Sequence, residues 1–217
     1  MADKFTAEQW EAHQADQKRI KRLQQLLQQA GKGLARRATW EQYETHHHYK
    51  QPEVLEAVQA WARGFTPDRG EGLLLWGPVG TGKDHLALAA VRTVLCHHDC
   101  SSWWQNGRDL AGEWRDRMDG GETEKGLLAT LTRRALLVIS DPLPPMGELS
   151  NYQADMLYRV VRARTDSGLA TICTVNVGSD AEADERMGAP TWDRLTQGAW
   201  KIHCDWPTHR TAAKVIE

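Results

Sequence analysis

Leu73-Leu74-Leu75-Trp76-Gly77-Pro78-Val79-Gly80-Thr81-Gly82-Lys83 is the stretch that decides how this chain folds. Four apolar residues bounded by glycines read as a buried strand. The glycine-rich turn and its lysine follow, and Leu86, Ala87, Leu88, Ala89, Ala90 and Val91 then open a helix at once. Strand, glycine loop, lysine and helix in that order make a phosphate cradle. Glycines let backbone amides turn inward around phosphate oxygens, the helix N-terminus adds partial positive charge, and Lys83 can reach the outer phosphates. A glycine turn with no ligand is the alternative, and the flanking strand and helix argue against it. The expected ligand is ATP.

Outward from this loop, strand and helix patterns alternate. Towards the N-terminus, a helix is predicted from Pro52 to about Arg63, with Val54, Leu55, Val58 and Trp61 on one face. Towards the C-terminus, the pattern predicts a helix from Gly82 to Leu95 and a strand from Ser102 to Gln105. Helices follow near Asp109 to Met118 and Gly126 to Leu131, then a continuous apolar strand from Ala135 to Ile139. A helix from Tyr152 to Arg164 and strands at Ala170 to Val175 and Trp200 to Cys204 complete the pattern. Such alternation implies an α/β fold, a parallel sheet with helices on both faces.

From Thr6 to about Ala30 the chain is rich in Gln, Ala, Lys and Glu, with Ile20, Leu23, Leu26 and Leu27 at helical spacing. This is an amphipathic helix, either packed on its own domain or an arm for a partner protein. Leu34 to Tyr49 reads as a connector, so 1–50 is expected to be a helical extension and 51–217 the nucleotide-handling domain. At 217 residues the chain has room for one main core and a short extension. The absence of a signal-like N-terminus or a membrane-length apolar run leads to the expectation of a cytoplasmic protein. Cys96, Cys100, Cys173 and Cys204 are expected as free thiols. A net charge of −2 means that contact with nucleic acid needs a local basic surface.

Two metal readings are weak on the residues alone. His46, His47 and His48 are consecutive, and neighbours rarely converge on one ion without further ligands. Cys96-His97-His98-Asp99-Cys100 lacks a second ligand pair.

The magnesium site departs from the usual pattern. The motif asks for Ser or Thr after the lysine and an acid at the end of the second apolar strand, whereas this chain has Asp84 and Ser140-Asp141. If Asp84 supplies the carboxylate and Ser140 the hydroxyl, loop and strand have exchanged roles and the ligand types are unchanged. Mg²⁺ accepts either arrangement of oxygen donors. The rival is degeneration, in which Asp84 repels phosphate and hydrolysis is lost.

These residues, with Leu26-Leu27-Gln28-Gln29-Ala30-Gly31, Ala38-Thr39-Trp40-Glu41-Gln42-Tyr43 and His85-Leu86-Ala87, make the chain resemble the DnaC/IstB group of AAA+ ATPases. These are the bacterial helicase loaders and the helper ATPases of insertion-sequence transposition. The resemblance covers nearly everything from Arg19 onward and implies a P-loop AAA+ core without a helical lid. It adds His85 to the nucleotide-binding set and places Asp141, with Asp84 and Ser140, among the Mg²⁺ ligands. Asp141 also stands where the family activates water, one methylene shorter than glutamate. Asn176 falls at the sensor that orients this water, Arg194 in the segment that reaches a neighbouring subunit's nucleotide, and Arg210 in a terminal motif that senses phosphate in cis.

The family further implies ATP-dependent homo-oligomers, DNA along the oligomer, and a replicative helicase or transposase held through the N-terminal helix. Arg115, Arg117, Lys125, Arg133 and Arg134 are candidates to track a DNA backbone, although interleaved acids also fit a mixed-charge solvated face. An adaptor that binds ATP without turnover is the main alternative. A small-molecule kinase fits Arg194, Arg210 and Asn176 less well.

Overall fold

A computed structural model describes residues 7–209, with side chains from Glu11 onward. Helices α1 (Ala7–Ala30), α2 (Lys32–Arg37) and α3 (Gln51–Gly64) precede the sheet. Strand β1 (Leu73–Gly77) leads through the glycine loop into α4 (Lys83–His97) and β2 (Ser102–Asn106). Then come α5 (Leu110–Asp119), α6 (Glu124–Thr132), β3 (Leu136–Ser140), α7 (Asn151–Asp166) and β4 (Ala170–Asn176). Helices α8 (Asp180–Met187) and α9 (Ala189–Thr196) and strand β5 (Trp200–His203) close the described chain.

The five strands are all parallel, in the order β2-β3-β4-β1-β5. Successive side chains of a strand point to opposite faces, and both faces of this sheet are covered. Leu73 and Leu75 therefore join a core with α3 and α4, while Leu74 joins the opposite core with α7 and α9. This explains why β1 and β3 read as unbroken apolar runs.

Helix α1 divides in two. Leu26 is buried with Leu23 and Leu27 packed beside it, whereas Glu11 to Lys18 are exposed and Ile20 is half-exposed. Gln29 Oε1 accepts a hydrogen bond from the backbone N of Trp104 at 3.0 Å, so the helix end satisfies a donor of the edge strand β2. The connector is likewise built into the core through Ala38 and Tyr43.

Three helices escape the periodicity reading: α2 lies partly in the expected connector, and α8 and α9 occupy a stretch to which the sequence pattern assigns no element. Each is eight residues or shorter, too short for a helical period to declare itself. The serine caps are the legible signals: Ser179 accepts from Glu182 N, and Ser150 forms a full capping box with Gln153 at the start of α7. Among the described residues no helix is long and apolar enough to cross a membrane.

Arg164 explains how α6, α7 and the two central strands lock together. Its side chain is fully buried, and the guanidinium donates to the carbonyls of Leu131 (2.6 Å), Arg134 (2.9 Å) and Ala170 (2.5 Å) and to Thr171 Oγ1 (3.0 Å). Five rigid donors suit this task, because the end of α6 and the starts of β3 and β4 all present carbonyls.

Candidate functional site

The loop after β1 wraps the N-terminus of α4 at the carboxyl edge of the sheet, where ligands of parallel α/β folds bind. Gly82, the N-cap of α4, has φ +88°, and a Cβ there would lie 2.9 Å from the Tyr43 ring. Glycine alone meets both demands. Lys83 is buried, and its Nζ donates to the carbonyls of Gly77 (2.9 Å) and Pro78 (2.6 Å). Thr81 closes the turn by donating to Pro78 O at 3.1 Å, and Val79 is exposed at its tip.

An open cleft of about 1270 Å³ lies against this loop. Lys83, Asp84, His85, Ser140, Asp141 and Asn176 all reach it, so the structure brings these sequence-predicted residues together. Strand register does the assembly: Gly77 lies opposite Asn176, and Ser140 lies opposite Thr174.

Asp84 Oδ1 accepts from both Ser140 Oγ (3.0 Å) and Thr174 Oγ1 (2.6 Å). Having spent its proton on Asp84, the Thr174 hydroxyl can accept, and it takes the backbone N–H of Asp141 at 3.1 Å. Thr174 was missed by sequence reasoning, since only the β3–β4 register reveals that it faces the carboxylate on the first turn of α4. The donors gathered here are all hard oxygens, from Asp84, Ser140, Thr174 and Asp141, and this chemistry fits Mg²⁺.

Asp141 has φ +46°, the sole non-glycine residue with positive φ among those described. Aspartate tolerates this left-handed geometry better than most residues, and it turns the carboxylate off the strand end into the cleft. Asn176 Nδ2 donates to Asp141 Oδ1 at 2.7 Å, so Asn176 is tied to the acid rather than capping a loop. Burial pushes the Asp141 carboxyl above the usual carboxylate range, against the opposing pull of Arg108. Arg108 forms an ion pair with Asp141 and donates through Nε to Leu143 O at 3.0 Å. It too was missed; the signal available was an arginine after the glycine that follows β2, which spacing alone does not aim at β3.

On the other side of the loop, His85 Nε2–H donates to Thr39 O at 2.7 Å and its ring meets Tyr43 edge-on at 5.3 Å. Burial lowers the His85 pKa, favouring neutral imidazole. Trp206 Nε1 donates to Thr81 O at 2.9 Å, and His209 N donates to Gly80 O at 2.9 Å, so the C-terminal segment lies along the loop.

Arg194 does not reach the cleft: on α9 it donates to Asp166 Oδ1 of α7 at 3.1 Å. Arg210 lies outside the described residues. Of the basic residues on α5 and α6, Arg117 pairs with Glu122 at 2.8 Å and Arg115 sits over the Tyr152 ring, a mixed-charge face. All four cysteines are free, Cys96 exposed and the other three buried.

A family model described as IstB-like ATP binding protein matches residues 7–214. An ATP-binding protein of an insertion sequence in Mycobacterium tuberculosis is 28% identical over 180 residues, spanning 80% of this chain and 68% of that protein. Among solved structures, the DnaC helicase loader superposes with a TM-score of 0.69 at 21% identity, covering 78% of this chain and 97% of the loader. DnaI gives 0.62 at 18% identity, over 80% of this chain and 91% of its own. AMPPCP-bound DnaA from Aquifex aeolicus gives 0.62 at 14% identity, over 78% of this chain and 50% of its own. These likenesses establish a P-loop AAA+ fold.

Proposed function

The chain belongs to the IstB-like ATP binding protein family, and from that premise we propose that it is an Mg²⁺-dependent ATPase acting on DNA in replication or transposition. The observation that carries this reading is the Asp84 carboxylate held by the hydroxyls of Ser140 and Thr174 beside Lys83. The loop amides of 77–83 cradle the phosphates, Lys83 leaves the loop carbonyls for the outer phosphates, and His85 with Tyr43 borders the far side of the cleft. Asp84, Ser140 and Asp141 would hold Mg²⁺, with Thr174 orienting Asp84, and the ion would supply charge neutralisation at the phosphate oxygens.

Asp141 accepts the proton of the attacking water, and Asn176 fixes the carboxylate that does so. Arg194 acts on a neighbouring subunit's nucleotide, and Arg210 on its own, so turnover follows ATP-dependent assembly. Residues 1–50 form the helical extension, whose exposed stretch from Glu11 to Lys18 engages the helicase or transposase, and 51–217 the ATPase domain.

The adaptor reading is favoured by one observation: the Arg108 ion pair occupies the acid that would act as base. Steady-state ATP hydrolysis with Mg²⁺, with and without single-stranded DNA, separates the two, with Lys83→Ala as control. Turnover that needs Lys83 and rises with DNA supports the ATPase acting on DNA. ATP binding with no turnover above the control assigns the chain to the adaptors.

A further inference from the structure

Loop 44–48 carries a second site that the nucleotide chemistry does not use. Glu44, His46 and His47 each present one ligand atom, and the three atoms lie within 4.8 Å of one another. His47 Nε2 is 2.8 Å from Glu44 Oε2, and His46 Nε2 is 4.0 Å from the same oxygen. Ligands about 2.0–2.2 Å from a tetrahedral ion stand little more than 3 Å apart, so small side-chain rotations suffice to close on a metal. The sequence argument against these histidines was the lack of a partner ligand, and Glu44 supplies it.

The loop is held in shape from beneath. Gln51, fully buried at the start of α3, accepts the backbone N–H of His47 (3.0 Å) and of His48 (2.9 Å) on one side-chain oxygen. The His47 and His209 rings meet edge to face with centroids 4.8 Å apart, and His209 Nε2 itself contacts Gln51 Nε2 at 2.6 Å. These contacts fix the path of the loop that carries both imidazoles. Two imidazoles and one carboxylate are an intermediate donor set that suits zinc and not the hard ions Mg²⁺ or Ca²⁺. We propose that Glu44, His46 and His47 bind a Zn²⁺ ion at the rim of the nucleotide cleft, with water completing the coordination.

The test uses the full chain without an affinity tag, stripped by chelator and free of nucleotide, so its outcome is independent of the ATPase reading. Zn²⁺ is titrated by calorimetry and Co²⁺ by its visible absorption. Expected are stoichiometric binding and a tetrahedral Co²⁺ spectrum, lost in His46→Ala/His47→Ala and weakened at least ~10-fold in Glu44→Gln. All three side chains are exposed, so the variants should retain the wild-type circular dichroism. Binding that is unchanged in both variants, absent from the wild type, or abolished by Cys96→Ser instead would overturn the proposal.

Discussion

Exchanging the residues at 84 and 140 tests whether they work as one unit. In Ser140→Asp a second carboxylate enters where the hydroxyl now stands 3.0 Å from Asp84. Two like charges about 4 Å apart at an effective dielectric of 20 repel by ~4 kcal/mol. Lys83 nearby and partial protonation reduce this, so a loss of ~2–4 kcal/mol is expected at pH 8. Repulsion raises the folded-state carboxyl pKa above its unfolded value, so the native state holds the extra proton and the loss shrinks as pH falls. Asp84→Thr removes the acceptor for two hydroxyls and costs ~1–3 kcal/mol. The double variant restores one carboxylate and one hydroxyl across the same gap, with Thr174 still opposite the new acid. It should be at least ~2 kcal/mol more stable than the sum of the singles. Urea unfolding of the four proteins measures this cycle, and calorimetric titration with Mg-ATP should place the double variant nearer the wild type than either single. Single effects that add within ~0.5 kcal/mol, with Mg-ATP binding no better than in the worse single, would refute the exchange.

Arg164→Met should lower stability by ~3–5 kcal/mol in urea unfolding, because it removes the guanidinium donors from the carbonyls of Leu131, Arg134 and Ala170; a loss under ~1 kcal/mol would contradict this. Gly80→Ala puts a Cβ 2.0 Å from Thr208 Oγ1 at φ +84°, so it should destabilise by ~1–3 kcal/mol, and adding Thr208→Ala should recover only part of the clash, because the position-208 Cβ still lies 2.8 Å from the new one. If Asp141 is the base, hydrolysis should fall as pH drops through its raised pKa, placing the acid limb above an ordinary carboxylate's. Arg108→Met removes a cation that lowers this pKa and should move the limb of the kcat profile further up; a shift down would exclude the assignment.

Features built from residues close in sequence are legible in the chain itself. Strand, glycine loop, lysine and helix need only adjacent residues, because the loop's geometry is set by its own glycines and by the helix that follows; the likeness to DnaC and IstB rests largely on this local grammar. The central strands were equally legible, since burial on both faces demands unbroken apolar runs such as Leu136 to Ile139. What the sequence left open was held by pairing across distance. Thr174 joins Asp84 and Asp141 because β3 and β4 align Ser140 with Thr174, and Arg108 reaches Asp141 because β2 ends beside β3. Glu44 and the two histidines converge because a buried glutamine shapes their loop. Register and loop path depend on the whole packed sheet, so the Asp84 carboxylate was visible in the chain, but its hydroxyl partners were decided only by the fold.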